Sequence, residues 1–338
     1  MANSKKAAVG FIFITILIDV MGFGIIIPVV PQLLQQLLHV TDRTNISAIS
    51  QPAIFLTLIY GLTQFVFAPI LGSLSDRYGR RPVLLFSLLG FGLDYIFLAF
   101  APTIGWLFVG RMIAGITGAS ITTATAYMAD ISNEKNRAQN FGMIGAAFGL
   151  GFIIGPMLGG LLGELGTRIP FLVAAGLALV NALYGYFVLP ESLDMEHRRS
   201  FDIKRANPIA SLLKLKKYPA VLGLICSLLL IYLAAHSVQS NWSFANINKF
   251  GWTPKMIGIS LAVVGVLVSL VQGLLIRVVN PKLGNEKSVY IGIALYAIGL
   301  TLFAFATQGW MMFFFFGALL FWGNFRARFT SANFGTCS

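Results

Sequence analysis

Charged side chains are scarce in this chain. Of its 338 residues, 57% are hydrophobic and only 11% are Asp, Glu, Lys or Arg. So little polar surface cannot cover a globule of this size in water, which excludes an ordinary soluble fold.

Two cysteines, Cys226 and Cys337, are too few for a disulfide framework or a cysteine metal cluster. Because the sequence also lacks a phosphate-binding loop, metal-ligand spacing and a nucleophile arrangement, we expect that the chain is not an enzyme.

Long apolar segments take up most of the chain instead. A helix needs about 20 apolar residues to cross the hydrocarbon core of a bilayer. Ten segments approach this length, near residues 7–31, 51–74, 83–101, 104–127, 139–163, 169–189, 219–241, 254–279, 288–307 and 309–323. We therefore predict an all-α, multi-pass membrane protein with nine or ten spans, whose natural solvent is the lipid bilayer.

The positive charge lies mostly on one side of the predicted spans. The net charge is +12, yet the loops on the outer side carry only Arg43, Arg168, Lys249 and Lys255. This asymmetry follows the positive-inside rule and places the N-terminus in the cytoplasm. Because the cations lie in alternate loops, the positive charge is explained by membrane orientation. We therefore expect no nucleic-acid partner.

A polar, basic segment divides the chain near its middle, after six predicted spans. We expect an N-terminal six-helix bundle over residues 1–189 and a cytoplasmic central loop over residues 190–218. A partial C-terminal helix bundle would follow over residues 219–323, and a polar tail over residues 324–338.

Three ionisable residues lie inside predicted spans: Asp19, Asp94 and Arg111. Each costs about 2.5 to 3.5 kcal/mol at the centre of an inserted helix, so each requires an explanation. Asp94 and Arg111 are equally distant in sequence from the turn at residues 102–103. An antiparallel hairpin therefore puts them at one depth, roughly 13 Å from the turn. The two charges could simply neutralise each other, or they could line a path for substrate or protons.

A short polar turn between the second and third predicted spans holds three arginines beside one aspartate. Its distinctive residues are Gly72, Asp76, Arg77, Gly79, Arg80 and Arg81. The pattern Gly-x-x-x-Asp-Arg-x-Gly-Arg-Arg resembles the signature loop of the major facilitator superfamily of transporters. The resemblance implies that Asp76 caps a helix and that Arg80 reaches a neighbouring carboxylate, in an interaction that breaks when the transporter changes state.

The fifth predicted span carries glycines around a proline, namely Gly151, Gly155, Pro156, Gly159 and Gly160. Proline kinks a helix and glycines allow close helix contact, so plain packing is one interpretation. The pattern also resembles the motif that marks antiporters rather than uptake carriers within the superfamily. That resemblance favours export over import.

Further patterns make the first 190 residues similar to bacterial tetracycline/H⁺ antiporters. They are Asp19 with Gly24, Pro28 and Pro31, the stretch Gly92 to Tyr95, the stretch Leu107 to Ala119 around Arg111, Ala129 to Ile131, and Leu189 to Ser192. The resemblance implies the major facilitator fold, with a full six-helix N-terminal bundle and an incomplete C-terminal bundle. It also implies proton-coupled drug export across the bacterial inner membrane, with no bound cofactor. Tetracycline, or its magnesium complex, would be a candidate substrate.

The same resemblance implies roles for individual residues. Asp19 and Asp94 would contact substrate or proton, and Arg111 would be linked to proton transfer. Gln64 is a further pocket candidate, with a plain interhelical hydrogen bond as the alternative.

The second half departs from the family pattern. In the stretch Gly265 to Gln272, a valine stands where tetracycline exporters often carry a histidine. His236 could replace that imidazole, or it could be a hydrogen-bonded packing residue. Tetracycline is therefore one candidate among several drugs.

Beyond residue 316 the sequence shows no pattern of the family. We interpret this change as a truncation or frameshift near residue 317. A second bundle without its last helices would expose polar groups to lipid that cannot satisfy them, so we expect little transport by this chain alone. The alternatives to drug export are a truncated, non-transporting membrane fragment and a proton-coupled transporter of another small solute.

Overall fold

The computed structural model describes residues 2–42, 45–134, 136–201, 207, 219–271 and 284–314, and these residues are predominantly helical. In chain order the helices are α1 (Ala2–Ile26), α2 (Val30–Leu37), α3 (Ser47–Tyr78), α4 (Arg80–Phe100), α5 (Ile104–Thr117), α6 (Ser120–Ile131), α7 (Arg137–Leu165), α8 (Ile169–Val188), α9 (Pro219–Phe250), α10 (Pro254–Leu270) and α11 (Asn285–Phe305). A 3₁₀ turn, Met195–His197, follows α8. The predicted all-α class is confirmed.

Six helical segments in the described ranges are long and apolar enough to cross a membrane. They are Ala7–Ile26, Ser47–Tyr78, Arg80–Phe100, Ile104–Ile131, Gln139–Leu165 and Ile169–Val188. They coincide with the first six predicted spans. Shorter apolar helices, Pro254–Leu270 and Tyr290–Phe305, lie at the eighth and ninth predicted spans. Most of the tenth predicted span and the whole polar tail lie outside the described residues.

Prolines and a glycine set boundaries that differ from the predicted spans. α1 ends at Ile26, and Pro31 falls in the first turn of α2, where its missing N–H is not needed. The fourth span is two helices rather than one, because α5 ends before Gly118 and α6 begins at Ser120. The break frees backbone carbonyls in the middle of a membrane span, and each of them needs another partner.

The chain forms two compact units, residues 1–257 and 258–338. In the first unit, α1 packs against α6, α7 and α8, while α4 packs against α5, α6 and α8. α3 lies along α5. The helices that carry Asp94 and Arg111 are therefore direct neighbours, and α1, which carries Asp19, belongs to the same unit. The second unit contains most of α10 and all of α11. The bundle boundaries predicted from charge stay a prediction.

α1 and α7 are in backbone contact along the glycine-rich pattern of the fifth span. A Cβ on Gly155 would lie 2.6 Å from the carbonyl oxygen of Met21, and a Cβ on Gly24 would lie 2.7 Å from Cδ of Pro156. A Cβ on Gly159 would overlap the backbone of Ile25. Since a real Cβ cannot occupy these positions, glycine is what lets the two helices approach so closely.

Candidate functional site

The hairpin of α4 and α5 brings Asp94 and Arg111 together. Asp94 is completely buried, Arg111 Nε donates to Asp94 Oδ1 at 3.2 Å, and Arg111 Nη2 pairs with Asp94 Oδ2. Gly110 leaves room for this contact, since a Cβ there would lie 2.8 Å from Asp94 Oδ1. The two-point geometry is the strong form of an arginine–carboxylate pair. The equal depth expected from the hairpin is thus realised as a direct ion pair.

Tyr60 on α3 covers another side of Arg111. The Arg111 Cζ lies 5.8 Å from the centroid of the Tyr60 ring, within the range of a cation–π interaction. α3 can come this near to α5 because Gly115 has no side chain. A Cβ on Gly115 would lie 2.7 Å from the Tyr60 carbonyl oxygen.

Asp19 on α1 faces the same region but forms no ion pair in the described part of the chain. The Ser120 hydroxyl, at the start of α6, lies close to the Asp19 carboxylate. Nevertheless, Asp19 Oδ2 and Ser120 Oγ are buried and lack hydrogen-bond partners among the described residues. An acceptor without a donor in a buried position is costly, which makes Asp19 a place for a proton or a polar ligand.

Two tyrosines stand between Asp19 and the ion pair. Asp19 interacts electrostatically with Tyr60 and with Tyr95, and the two tyrosines interact with each other. Tyr95 is buried, and its hydroxyl would be only 2.5 Å from a Cβ on Gly22, one helical turn after Asp19. We name the set Asp19, Tyr60, Asp94, Tyr95 and Arg111 the buried polar cluster.

Gln64 adjoins this cluster at the break between α5 and α6. Its Nε2 donates to the carbonyl oxygen of Gly118 at 3.1 Å, so the interhelical hydrogen bond proposed as the plain alternative is present. Gln64 also lies near the side chain of Tyr60, one turn earlier on α3. A role in substrate binding stays a prediction.

His236 lies on α9, and its side chain is exposed. Its ring stacks on Tyr232 with a centroid distance of 6.2 Å. The described contacts of His236 do not include a member of the buried polar cluster. Both interpretations of His236, a role in transport and a hydrogen-bonded packing residue, stay predictions.

The polar turn between α3 and α4 forms a second charged site at one end of the bundle. Arg80 Nη1 is 2.6 Å from Asp76 Oδ1, and Arg80 Nε is 3.1 Å from Asp130 Oδ2 on α6. Asp130 is therefore the neighbouring carboxylate that the resemblance implied for Arg80. Arg77 lies over the ring of Tyr78 at 5.1 Å.

The residue that caps α4 is Glu191, not Asp76. The Glu191 carboxylate accepts hydrogen bonds from the backbone N–H groups of Arg80 at 2.8 Å and Arg81 at 3.2 Å. Asp76 lies in the last turn of α3, where its side chain pairs with Arg80, and α4 has no side-chain cap from its preceding residue. Asp76 therefore does not cap α4, and the implied role of Asp76 as a helix cap stays a prediction.

Position 79 requires glycine for two reasons, its backbone conformation and the closeness of a neighbouring side chain. Gly79 has φ of 109°, a conformation that L side chains rarely adopt, and a Cβ there would overlap the Glu191 carboxylate. Nearby, Arg81 Nη2 donates to the carbonyl oxygen of Tyr186 at 2.5 Å. Gly72 differs, because nothing lies within 4 Å of a Cβ added to it.

Sequence reasoning assigned no role to Tyr60, Tyr95, Asp130 or Glu191. Asp130 and Glu191 occur in patterns that resemble the family, but those patterns did not indicate what the two residues contact. Their partner Arg80 is 50 residues from Asp130 and 111 residues from Glu191. Tyr60 had one local signal: it precedes Gln64 by one helical turn on an otherwise apolar helix.

Known proteins are similar to this chain in sequence. The profile of the Major Facilitator Superfamily matches residues 12–338, including the segment beyond residue 316 in which we had found no likeness. The class C tetracycline resistance protein of Escherichia coli is 40% identical over 88% of this chain and 74% of its own length. The class B protein of the same organism is 35% identical over 93% and 75%. Multidrug resistance protein 2 of Bacillus subtilis is 29% identical over 88% and 72%.

Solved structures agree on the fold. The human organic anion transporter MFSD10 matches with a TM-score of 0.69 and 22% identity, over 95% of this chain and 84% of its own. A bacterial homologue of the lysosomal transporter Spinster matches with a TM-score of 0.71 and 14% identity, over 97% and 74%. Family profile, related sequences and fold coincide, and the chain belongs to the major facilitator superfamily.

Proposed function

We propose that this multi-pass membrane protein is a proton-coupled antiporter that exports drugs such as tetracycline. The observation that carries the proposal is the ion pair of Asp94 and Arg111, with Asp19, which has no ion-pair partner among the described residues, in the same bundle. Charges are expensive inside a membrane, and a structural role would not require an additional carboxylate without a counter-charge. The relatives named above are resistance proteins, which supports a drug as the cargo.

The ion pair gives a physical route for coupling. When a proton binds Asp94, the carboxylate loses its charge and its attraction for Arg111 falls. Arg111 is then free to interact with a substrate or with another part of the bundle. At the end of the bundle, the contacts of Arg80 with Asp76 and Asp130 would separate as the two access states exchange.

The proposed location is the bacterial inner membrane, with the N-terminus in the cytoplasm. Its support is the charge asymmetry of the loops. The partners are then the lipid bilayer, protons and a small-molecule drug, and the energy source is the proton gradient rather than a bound cofactor. The drug could travel as free tetracycline or as its magnesium complex, which an uptake assay with and without magnesium separates.

Accumulation of tetracycline in drug-sensitive bacteria tests the proposal. The proteins to compare are this chain, the chain with its reading frame restored from residue 317, and each form carrying Asp94→Asn. We expect at least one form to lower accumulation several-fold, and Asp94→Asn or an uncoupler to remove the effect. Gly145→Ala is the matched control, because nothing lies within 4 Å of the added Cβ.

Each other outcome has a definite meaning. If neither form lowers tetracycline accumulation at normal expression, tetracycline is the wrong substrate. If Asp94→Asn exports as well as its parent, proton coupling through Asp94 is wrong. Export by the 338-residue chain itself would contradict the expectation of little transport drawn from its last residues.

A second candidate is proton-coupled transport of another drug or small solute. The specific observation in its favour is the valine at the position where tetracycline exporters often have a histidine. Proton-driven uptake of labelled solutes into inverted vesicles would separate this candidate from tetracycline export.

A further inference from the structure

The coupling scheme above does not use the Tyr60 ring, which belongs to the buried polar cluster. Both described polar contacts of the Arg111 guanidinium go to Asp94, while the face of Tyr60 lies 5.8 Å from Arg111 Cζ. The ring therefore adds no hydrogen bond to the pair. It presents the negative face of an aromatic quadrupole to a cation.

The ring matters most when Asp94 has bound a proton. The carboxyl group is then neutral, and Arg111 is left as an unpaired cation inside the bundle, which is a costly arrangement. α5 packs against α3 and α4. From these helices the ionisable groups that face Arg111 are Asp94 and Tyr60. Tyr95 of α4 and Asp19 of α1 lie near Tyr60.

We propose that Tyr60 is a positioning residue for proton coupling: its ring holds the Arg111 guanidinium in the bundle while Asp94 is protonated. The proposal rests on the proposed function, since it specifies what stabilises Arg111 after Asp94, its partner in the ion pair, has lost its negative charge. With the carboxylate neutral, the guanidinium can shift toward the ring, and the cation–π attraction replaces part of the lost ion pair.

The surroundings of Tyr60 keep the ring in place for this role. Its carbonyl oxygen lies against Gly115, and the neighbouring Thr63 side chain fills the same gap, so α3 and α5 cannot slide freely at this level. The Gln64 side chain, whose amide donates to the Gly118 carbonyl oxygen at 3.1 Å, lies near the Tyr60 hydroxyl. Tyr60 therefore has close neighbours at its backbone and at its hydroxyl end.

The pH dependence of Asp94 protonation tests the proposal without requiring transport. A hydrophobic carbodiimide reacts with protonated carboxyl groups, and mass spectrometry of the purified full chain reports modification of the peptide that contains Asp94. The variants are Tyr60→Leu, which removes the ring, and Tyr60→Phe, which keeps it. Tyr184→Leu is the matched control, because Tyr184 is an exposed tyrosine on α8. Asp94→Asn gives the background.

We expect Tyr60→Leu to move the midpoint of Asp94 modification to lower pH by roughly half to one pH unit. This is the shift for a cation–π loss of about 0.5 to 1.5 kcal/mol from the state with neutral Asp94. Tyr60→Phe and Tyr184→Leu should keep the parent midpoint. The proposal is overturned if Tyr60→Leu leaves the midpoint unchanged, or if Tyr60→Phe shifts it equally, because the hydroxyl would then be the active group.

Transport data separate this proposal from the proposed function. If no form exports tetracycline but the midpoint shifts as expected, the substrate assignment fails and the role of Tyr60 stands. If Asp94→Asn abolishes export and Tyr60→Leu has no effect on the midpoint, the proposed function stands and the role of Tyr60 fails.

Discussion

At the scale of single residues, Asp94 and Arg111 compensate one another, and the cost of losing one differs from the cost of losing both. Asp94 is fully buried and accepts both of the described guanidinium contacts. Asp94→Asn would leave Arg111 as a buried cation without its counter-charge. Breaking such a pair typically costs about 3 to 5 kcal/mol, whereas replacing both partners with neutral residues often costs little.

We therefore predict that Asp94→Asn lowers the thermal unfolding temperature of the detergent-purified chain, and that Asp94→Asn with Arg111→Gln restores most of it. The unfolding temperature is measured from the fluorescence of a thiol-reactive dye or of tryptophan during heating. Proton-coupled transport should be absent from both variants. A double variant less stable than Asp94→Asn would mean that Arg111 has a partner that outweighs Asp94.

The sequence predicts this pair but not its surroundings. Asp94 and Arg111 are rare charges in apolar helices and are equally far from a turn, so geometry alone brings them together. Tyr60 and Tyr95 carry no comparable signal, because aromatic residues are frequent in this chain and only the packing of α3, α4 and α5 selects these two. The capping role of Glu191 depends on a contact across 111 residues, which a local pattern cannot show.

At the scale of helices, α4 is stabilised at both ends by charges from other elements. Glu191 accepts from N–H groups at its N-terminus, and Arg168 donates to the carbonyl oxygens of Ala99 at 3.0 Å and Ala101 at 2.8 Å near its C-terminus. An anion at the first turn and a cation at the last turn both oppose the helix dipole. α4 carries Asp94, so these contacts also hold the ion pair at its depth.

We predict that Glu191→Ala lowers the free energy of unfolding by about 1 to 2 kcal/mol, because the N–H groups of the first turn lose their acceptor. Glu191→Gln should cost less, since one oxygen remains. The matched control is Glu164→Gln, whose exposed carboxylate is 3.7 Å from Lys255 and should contribute little. Equal losses in Glu191→Ala and Glu164→Gln would show that the cap at α4 is unimportant.

The contact between α1 and α7 leads to another prediction for helix packing. Gly155→Ala puts a methyl group 2.6 Å from the Met21 carbonyl oxygen, so α1 and α7 must separate. Gly145→Ala, on the same helix, adds a methyl group to open space and raises helix propensity. We expect Gly155→Ala to lower the thermal unfolding temperature and to reduce export several-fold, with Gly145→Ala close to the parent. Similar values for the two variants would contradict a packing role for this glycine pattern.

Helix type was predictable here, and helix breaks were not. Apolar length predicts all six of the long spans, because a bilayer demands about 20 apolar residues. Apolar length does not reveal the helix break at Gly118. Glycines also occur inside the continuous α4 and α7, and only the Gln64 contact to a freed carbonyl distinguishes this position.

At the scale of the whole molecule, the first six spans place two kinds of turn at opposite ends of the bundle. One end has the α3–α4 turn, where Arg80 meets Asp130 and Glu191. The other end has the α4–α5 turn, near which Arg168 binds. Arginines are dense at the first end and sparse at the second, so the positive-inside rule predicts that the α3–α4 turn lies in the cytoplasm.

Cysteine accessibility in intact bacteria tests this orientation. In a background with Cys226→Ser and Cys337→Ser, we predict that Thr103→Cys reacts with a membrane-impermeant maleimide added outside. Tyr78→Cys should react only after the membrane is permeabilised. Both side chains are exposed at their turns, so burial does not explain a difference between them. The reverse pattern would put the N-terminus outside, and the direction proposed for drug movement would then have to be reversed as well, because the proton gradient acts across the same oriented bundle.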